Sequence, residues 1–217
     1  MNHSLDIEND FKQHRLVPVI ALEQAGHAQG LAESLVAGGL PIAEVTFRTE
    51  AAEESIAIMA QNRDLLVGAG TVLTIEQVDR SRKAGAQFVV APGLNPRVVK
   101  HCQAIEMPVF PGVCTPTEIE QALELGIETV KFFPAEAYGG VKTLQALAGP
   151  YRHVRFLPTG GINLSNLDSY LACSSVIACG GSWMVKPSLY ESGSFDQVER
   201  LAHEATQFVK SLETQKG

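Results

Sequence analysis

The sequence contains no apolar run near the roughly 20 residues that a helix needs to cross a bilayer, which argues against a membrane span. Basic residues are also in short supply. The 17 Lys and Arg against 24 Asp and Glu give a net charge of −7, which opposes attraction to nucleic acid or to an anionic lipid surface. We therefore predict neither nucleic-acid nor membrane partners. Residues 1–15 lack the apolar stretch of a signal peptide, so we expect a cytoplasmic protein.

Metal-binding patterns are missing as well. The four cysteines form no CxxC pair, and the six histidines form neither an HxH nor an HExxH pair. The ligand spacings typical of structural and catalytic zinc sites are thus lacking. We expect reduced thiols and no metal.

Short apolar runs recur along the chain, and helix-length stretches lie between them. No linker or low-complexity segment divides the sequence, so we expect one domain over residues 1–217 with an N-terminal helical extension over residues 1–15. Eight strand-then-helix units predict a closed (β/α)₈ TIM barrel, and a doubly wound open sheet is the structural alternative. The predicted strands span residues 17–22, 41–48, 65–72, 87–93, 107–113, 129–135, 154–161 and 175–182.

Capping residues mark several predicted helix starts. A Ser or Thr followed three residues later by Glu or Gln can satisfy two free backbone N–H groups at the start of a helix. This pattern occurs from Thr74 to Gln77, from Thr115 to Glu118 and from Ser194 to Gln197. We therefore predict helices that begin directly after Thr74, Thr115 and Ser194.

Lys131 is the one lysine of eight that falls inside an apolar strand. A buried ammonium must be paired or lose its proton, and a neutral amine is a nucleophile toward carbonyl groups. Two interpretations follow: a structural ion pair between Lys131 and Glu44, or a lysine that forms a Schiff base. The strand alone does not separate them.

A Schiff-base site for a keto acid also needs an acid/base group and a cation for the substrate carboxylate. Glu44 and Arg48 lie on one face of the second predicted strand, with Arg48 farther toward its C-terminal end. In a barrel this face is the interior. Glu44, Arg48 and Lys131 thus form a chemically coherent set.

Glycine pairs end the seventh and eighth predicted strands. The segments are Thr159-Gly160-Gly161 and Gly180-Gly181-Ser182. Phosphate groups commonly bind at these two strand ends in such barrels, because glycine lets backbone N–H groups approach an anion closely. The sequence therefore predicts a phosphate site there.

Seven motifs resemble the family of 2-keto-3-deoxy-6-phosphogluconate (KDPG) aldolases. They are EVTFRTE (44–50), VGAGTVL (67–73), APGLNP (91–96), VKFFPAE (130–136), GGVKTLQALAGP (139–150), LPTGGI (157–162) and GGSWMV (180–185). The resemblance implies a class I aldolase, usually a homotrimer, that needs no cofactor. It would cleave the keto-deoxy sugar acid phosphate of the Entner–Doudoroff pathway to pyruvate and glyceraldehyde 3-phosphate, and also act on 4-hydroxy-2-oxoglutarate.

The resemblance also implies a role for each matched residue. Lys131 would form the Schiff base and Glu44 would be the acid/base. Arg48 and Thr71 would bind the substrate carboxylate, Pro92, Phe133 and Thr159 would line the substrate pocket, and Gly160, Gly161, Gly181 and Ser182 would bind phosphate. Phe47, Cys114 and Tyr138 depart from the family motifs, and we expect Tyr138 to trim the pocket.

Two alternatives stay open. The first is another phosphosugar-handling barrel enzyme, because fold does not fix function. The second is a barrel that binds a phosphorylated metabolite without catalysis. The single lysine in a strand argues against the first, and the charged residues on interior faces argue against the second.

Overall fold

The computed structural model describes residues 3–214, and its architecture is a parallel α/β fold. Strands and helices alternate along the chain. The strands are β1 (Leu16–Ile20), β2 (Ile42–Thr46), β3 (Leu66–Gly70), β4 (Phe88–Val90), β5 (Val109–Phe110), β6 (Gly112–Val113), β7 (Thr129–Phe132), β8 (Arg155–Pro158) and β9 (Cys179–Gly181). The helices are α1 (His3–His14), α2 (Ala28–Ala37), α3 (Ala52–Met59), α4 (Ile75–Lys83), α5 (Pro96–Ala104), α6 (Pro116–Glu124), α7 (Gly140–Ala148), α8 (Leu167–Leu171) and α9 (Asp196–Thr214).

The strands form two parallel sheets. Six strands pair in the order β5-β4-β3-β2-β1-β9, and three pair in the order β6-β7-β8. Isolated parallel bridges also join Phe156 to Val176 and Thr159 to Gly180. The predicted parallel α/β class is confirmed, and each of the eight predicted segments overlaps at least one strand.

The fifth predicted strand, 107–113, is divided in two. Its first half, β5, pairs with β4, whereas its second half, β6, pairs with β7. Pro111 separates the halves; it has no N–H to donate, and its carbonyl oxygen accepts from the Lys131 N–H at 2.9 Å. The chain therefore changes its pairing partner at the proline.

Two of the three helix starts predicted from capping residues are confirmed. Thr74 Oγ1 accepts from the Gln77 N–H at the start of α4. Thr115 Oγ1 accepts from the Glu118 N–H, and Glu118 Oε2 accepts from the Thr115 N–H, which completes the capping box of α6. The start predicted at Ser194 is wrong. The carbonyl oxygen of Phe195 accepts the first bonds of α9, so the helix begins one residue later, at Asp196, and the Ser194 hydroxyl donates to the Asp196 carboxylate at 3.0 Å.

The helix predicted within residues 1–15 is α1, and it contacts β7, the strand that carries Lys131. Phe11 is 1% exposed and meets Phe88 and Phe110 edge-on, with ring centroids 5.3 and 4.9 Å apart. The Glu8 carboxylate accepts from the Thr129 hydroxyl at 2.8 Å. Helix α1 is therefore attached to β7 two residues before Lys131.

Among residues 3–214, no helix is both long enough and apolar enough to span a membrane.

Candidate active site

Lys131 and Glu44 meet in the interior. Lys131 lies on β7 and Glu44 on β2, both residues are 3% exposed, and Lys131 Nζ donates to Glu44 Oε1 at 3.1 Å. These strands belong to different sheets, so the contact crosses the space between them. The low exposure of Lys131 confirms its predicted burial. The other lysines within residues 3–214 are all exposed.

Gly70 provides the space that the Glu44 carboxylate occupies. It ends β3, which is the neighbour of β2 in the sheet. A Cβ atom at position 70 would lie 2.2 Å from Glu44 Oε1, well inside van der Waals contact. Glycine is thus required at this place so that Glu44 can extend toward Lys131.

An aromatic ring lies beside the amine. Phe133 directly follows β7, and Lys131 Nζ is 5.3 Å from the centroid of its ring. The strand alternation predicts that these two side chains share a face, and the contact agrees. A cation at this distance is attracted by the ring, and a flat ring can pack against a planar group bound to the amine.

Arg48 and Thr71 meet beyond the ends of their strands. Arg48 is exposed two residues after β2, and its Nε donates to Thr71 Oγ1 at 3.3 Å. Thr71 follows β3 with φ of 55°, a left-handed conformation that is strained for a β-branched residue. The guanidinium and the hydroxyl together offer donors to a carboxylate.

A cavity of about 460 Å³ opens at the C-terminal ends of the strands. We call it the mouth cavity. All the predicted site residues except Lys131 and Glu44 line it. The complete lining is Val19, Arg48, Thr71, Pro92, Phe133, Thr159, Gly160, Gly161, Ile162, Gly180, Gly181 and Ser182.

Lys131 and Glu44 line a second, much smaller cavity of about 10 Å³. We call it the inner cavity. It is at the lower limit of the space that a single water needs. Thr159 and Gly180 line both cavities and so lie at the boundary between them, while Phe11 of α1 lines the inner cavity as well. The amine is thus shielded from bulk water.

Sequence reasoning did not single out Val19 or Ile162 as site residues, and it placed Gly180 in a predicted phosphate segment without a role of its own, although all three line the mouth cavity. Val19 shares its strand face with Val17, which lines the inner cavity, so strand alternation could have indicated it. Ile162 and Gly180 adjoin the predicted phosphate residues. The division into two cavities has no signal in the sequence.

The Gly160-Gly161 turn is held from two sides. Both glycines have positive φ, 104° and 84°. The Gly160 carbonyl oxygen accepts from the Glu136 N–H at 3.1 Å, and the Gly161 carbonyl oxygen accepts from Asn166 Nδ2 at 3.2 Å. Because the carbonyl oxygens are engaged elsewhere, the turn can present its N–H groups to an anion.

Tyr138 does not line the mouth cavity, so the expectation that it trims the pocket is wrong in this structure. It is 49% exposed, and its hydroxyl interacts with the Cys114 thiol instead. Cys114 Sγ also donates to Glu118 Oε2 at 3.3 Å. Burial, and then the contact with the Glu118 carboxylate, raise the pKa of the Cys114 thiol.

All four cysteines, which are Cys102, Cys114, Cys173 and Cys179, are free thiols. Across residues 3–214 no cluster of three or more His, Cys, Asp or Glu side chains could hold a metal ion.

Comparison with known proteins gives a consistent result. The family described as "KDPG and KHG aldolase" matches residues 7–201. The chain is 50% identical over 200 residues to the 2-dehydro-3-deoxy-phosphogluconate aldolase of Haemophilus influenzae, which covers 92% of this chain and 94% of that protein.

Solved structures agree with the sequence match. The 2-keto-3-deoxy-6-phosphogluconate aldolase of Zymomonas mobilis, determined with 3-phosphoglycerate, is 39% identical with a TM-score of 0.88, covering 94% of this chain and 97% of that one. A KDPG aldolase from Legionella pneumophila, with pyruvate captured as a covalent carbinolamine, is 36% identical with a TM-score of 0.88. The match covers 91% of this chain and 97% of that one.

We expect Glu118→Gln to increase the alkylation rate of Cys114 by iodoacetamide at pH 8 severalfold. The thiolate is the reactive form, and removal of the neighbouring negative charge lowers the thiol pKa toward its ordinary value. Glutamine also keeps the capping box. Peptide mass spectrometry measures the rate, with buried Cys102 as the internal reference. Equal rates in the two proteins would show that burial alone controls this thiol.

Proposed function

The chain belongs to the KDPG and KHG aldolase family, and we propose that it is a class I aldolase whose Schiff base forms on Lys131. Its reaction would be the carbon–carbon cleavage of 2-dehydro-3-deoxy-6-phosphogluconate to pyruvate and glyceraldehyde 3-phosphate. The observation that carries this proposal is the buried contact of 3.1 Å between Lys131 Nζ and Glu44 Oε1. The carbinolamine captured in the Legionella relative supports an amine nucleophile.

The first steps build the Schiff base. Lys131 passes a proton to Glu44, the neutral amine nitrogen Nζ attacks the C2 carbonyl carbon, and the C2 oxygen takes up a proton from the attacking nitrogen to give a carbinolamine. Glu44, in contact with the amine, carries the proton that allows this hydroxyl to leave as water. The product is an iminium ion at C2.

Cleavage follows from the electron demand of the iminium. Glu44, acting through a water, accepts the proton of the C4 hydroxyl, and the C3–C4 electron pair moves into the iminium to form an enamine. Glyceraldehyde 3-phosphate departs as the aldehyde. Protonation of the enamine at C3 gives the pyruvyl iminium, and hydrolysis releases pyruvate and the free amine.

Arg48 and Thr71 would bind the carboxylate of the substrate. Their side chains already share a hydrogen bond at the wall of the mouth cavity, and both offer donors to an anion. Phe133 would pack against the planar iminium. 4-Hydroxy-2-oxoglutarate has the same carboxylate and keto groups, so the same residues would cleave it to pyruvate and glyoxylate.

Gly160, Gly161, Gly181 and Ser182 would bind the phosphate of the longer substrate. Their support is shared exposure to the mouth cavity and the engaged carbonyl groups of the Gly160-Gly161 turn. Substitution of the glycines is a poor test, since a Cβ at Gly181 would lie 2.0 Å from the Trp183 ring. Ser182 is exposed and does not cap the turn that follows it, so its hydroxyl can be removed alone.

We further infer that the two sheets form one closed eight-stranded barrel within a single domain over residues 1–217. Support comes from β5 and β6, which are separated only by Pro111, and from the two parallel bridges, Phe156 to Val176 and Thr159 to Gly180, that join the regions of β8 and β9. Free cysteines are typical of reducing compartments, which supports a cytoplasmic location.

Treatment with pyruvate and borohydride should add one reduced pyruvyl group, on Lys131. The reason is that Lys131 is enclosed beside the Glu44 carboxylate, which can exchange a proton with the amine, whereas the other lysines of residues 3–214 are exposed. Peptide mass spectrometry locates the adduct, and Lys131→Met is the matched control, in which no adduct should form. A label on Lys142 or Lys186 with Lys131 unmodified would contradict the proposal, and a protein that only binds phosphometabolites would form no adduct.

Glu44→Gln should lower kcat by about 10² to 10⁴ because it removes the proton carrier. Glutamine is nearly isosteric and can still accept from Lys131 Nζ, so the fold should persist and slow adduct formation with pyruvate should remain. Steady-state kinetics, after circular dichroism has confirmed folding, measure the effect. Unchanged turnover would assign Glu44 a structural ion-pair role.

We expect a homotrimer with about three times the chain mass of 23.3 kDa. This expectation rests on the family resemblance, since composition does not set an oligomeric state. Sedimentation velocity at micromolar concentration measures it, and a monomer would refute the trimer without affecting the proposed chemistry.

A further inference from the structure

Glu136 places a carboxylate directly beside the proposed phosphate site. It follows β7, and its backbone N–H donates to the Gly160 carbonyl oxygen. A Cβ atom on Gly161 would lie 2.6 Å from Glu136 Cγ and 2.7 Å from its Cβ, so the stem of this side chain lies against Gly161. An acidic group in this position would repel a bound phosphate unless it is held away.

The buried Tyr170 holds this carboxylate. Tyr170 lies on α8, is 0% exposed, and donates its hydroxyl proton to Glu136 Oε1. Burial, and then the bond to Glu136, raise the pKa of the Tyr170 hydroxyl, which keeps it a donor. A Cβ on Gly140 would lie 2.9 Å from Glu136 Oε1 and 3.3 Å from the Tyr170 hydroxyl oxygen. Glu136 is exposed as a residue, but its Oε1 lies in a niche between Gly140 and the Tyr170 hydroxyl.

This niche has favourable electrostatics for a negative charge. Gly140 is the first residue of α7, and the N-terminus of a helix stabilises an anion. Neither Glu136 nor Tyr170 lines the mouth cavity, whereas Gly160 and Gly161 do. The charge is thus fixed outside the cavity although its stem touches the cavity wall.

We propose that Tyr170 is a positioning residue for phosphate recognition, whose hydroxyl keeps the Glu136 carboxylate out of the mouth cavity. This inference rests on the proposed function. It predicts that loss of the hydroxyl harms only substrates that carry phosphate, and that the harm comes from the Glu136 charge.

Tyr170→Phe should raise KM for 2-dehydro-3-deoxy-6-phosphogluconate about fivefold with little change in kcat, because the released carboxylate repels the phosphate. KM for 4-hydroxy-2-oxoglutarate, which has no phosphate, should stay the same. High salt should reduce the effect by screening. The double variant Tyr170→Phe with Glu136→Gln should return KM toward the original value. Ser182→Ala is the reference variant, because it removes a direct phosphate contact. Adding Glu136→Gln to Ser182→Ala should not lower the raised KM for the phosphorylated substrate.

A second pair of variants leaves Tyr170 in place. In Glu136→Asp and Glu136→Asn, the new side chain is one methylene shorter than glutamate and cannot reach Tyr170. The two variants differ in charge, because only aspartate is negative. Glu136→Asp should show a KM for the phosphorylated substrate about fivefold above that of Glu136→Asn.

Equal KM values for this pair, or a double variant as impaired as Tyr170→Phe alone, would overturn the inference and leave the contact a structural one. Failure of the proposed function is distinguishable, because the unsubstituted protein would then form no borohydride-reduced pyruvate adduct on Lys131.

Discussion

Burial of an ammonium and a carboxylate is the constraint around which this molecule is arranged. Each ion costs several kcal/mol to remove from water, so Lys131 and Glu44 must meet inside the protein. The surrounding strands leave space for the contact, most directly at Gly70. Apolar residues of similar volume would serve stability equally well or better. A buried pair beside an open cavity is therefore better explained by chemistry than by structure.

The sequence predicted the parallel α/β class and the place of each strand, because apolar runs and glycine or capping residues recur at regular intervals. It did not predict the change of partner at Pro111 or the late start of α9 at Asp196. The reasons are physical. Strand pairing depends on both neighbours at once, which no local pattern encodes, and the Ser194 hydroxyl donates to the Asp196 carboxylate, a local contact that competes with capping of the helix.

A similar limit holds at the candidate site. Strand alternation indicates that Glu44 and Arg48 share a face, and the position of Lys131 in an apolar strand indicates its burial. The contact between Tyr170 and Glu136 joins residues 34 positions apart through a short helix, and no local pattern announces it. The position of Tyr138 likewise follows from its contact with Cys114 across two loops.

The attachment of α1 to β7 has a consequence for how the molecule matures. Glu8 and Thr129 are 121 positions apart, so α1 leaves the ribosome long before its partner strand exists. Domains gain their long-range contacts only as the later segments emerge. Phe11, which lines the inner cavity, can take its place against Phe110 only after Phe110 itself has been synthesised. Helix α1 therefore gains its contact with β7 well after its own synthesis, and Lys131 can become enclosed only after that strand has emerged.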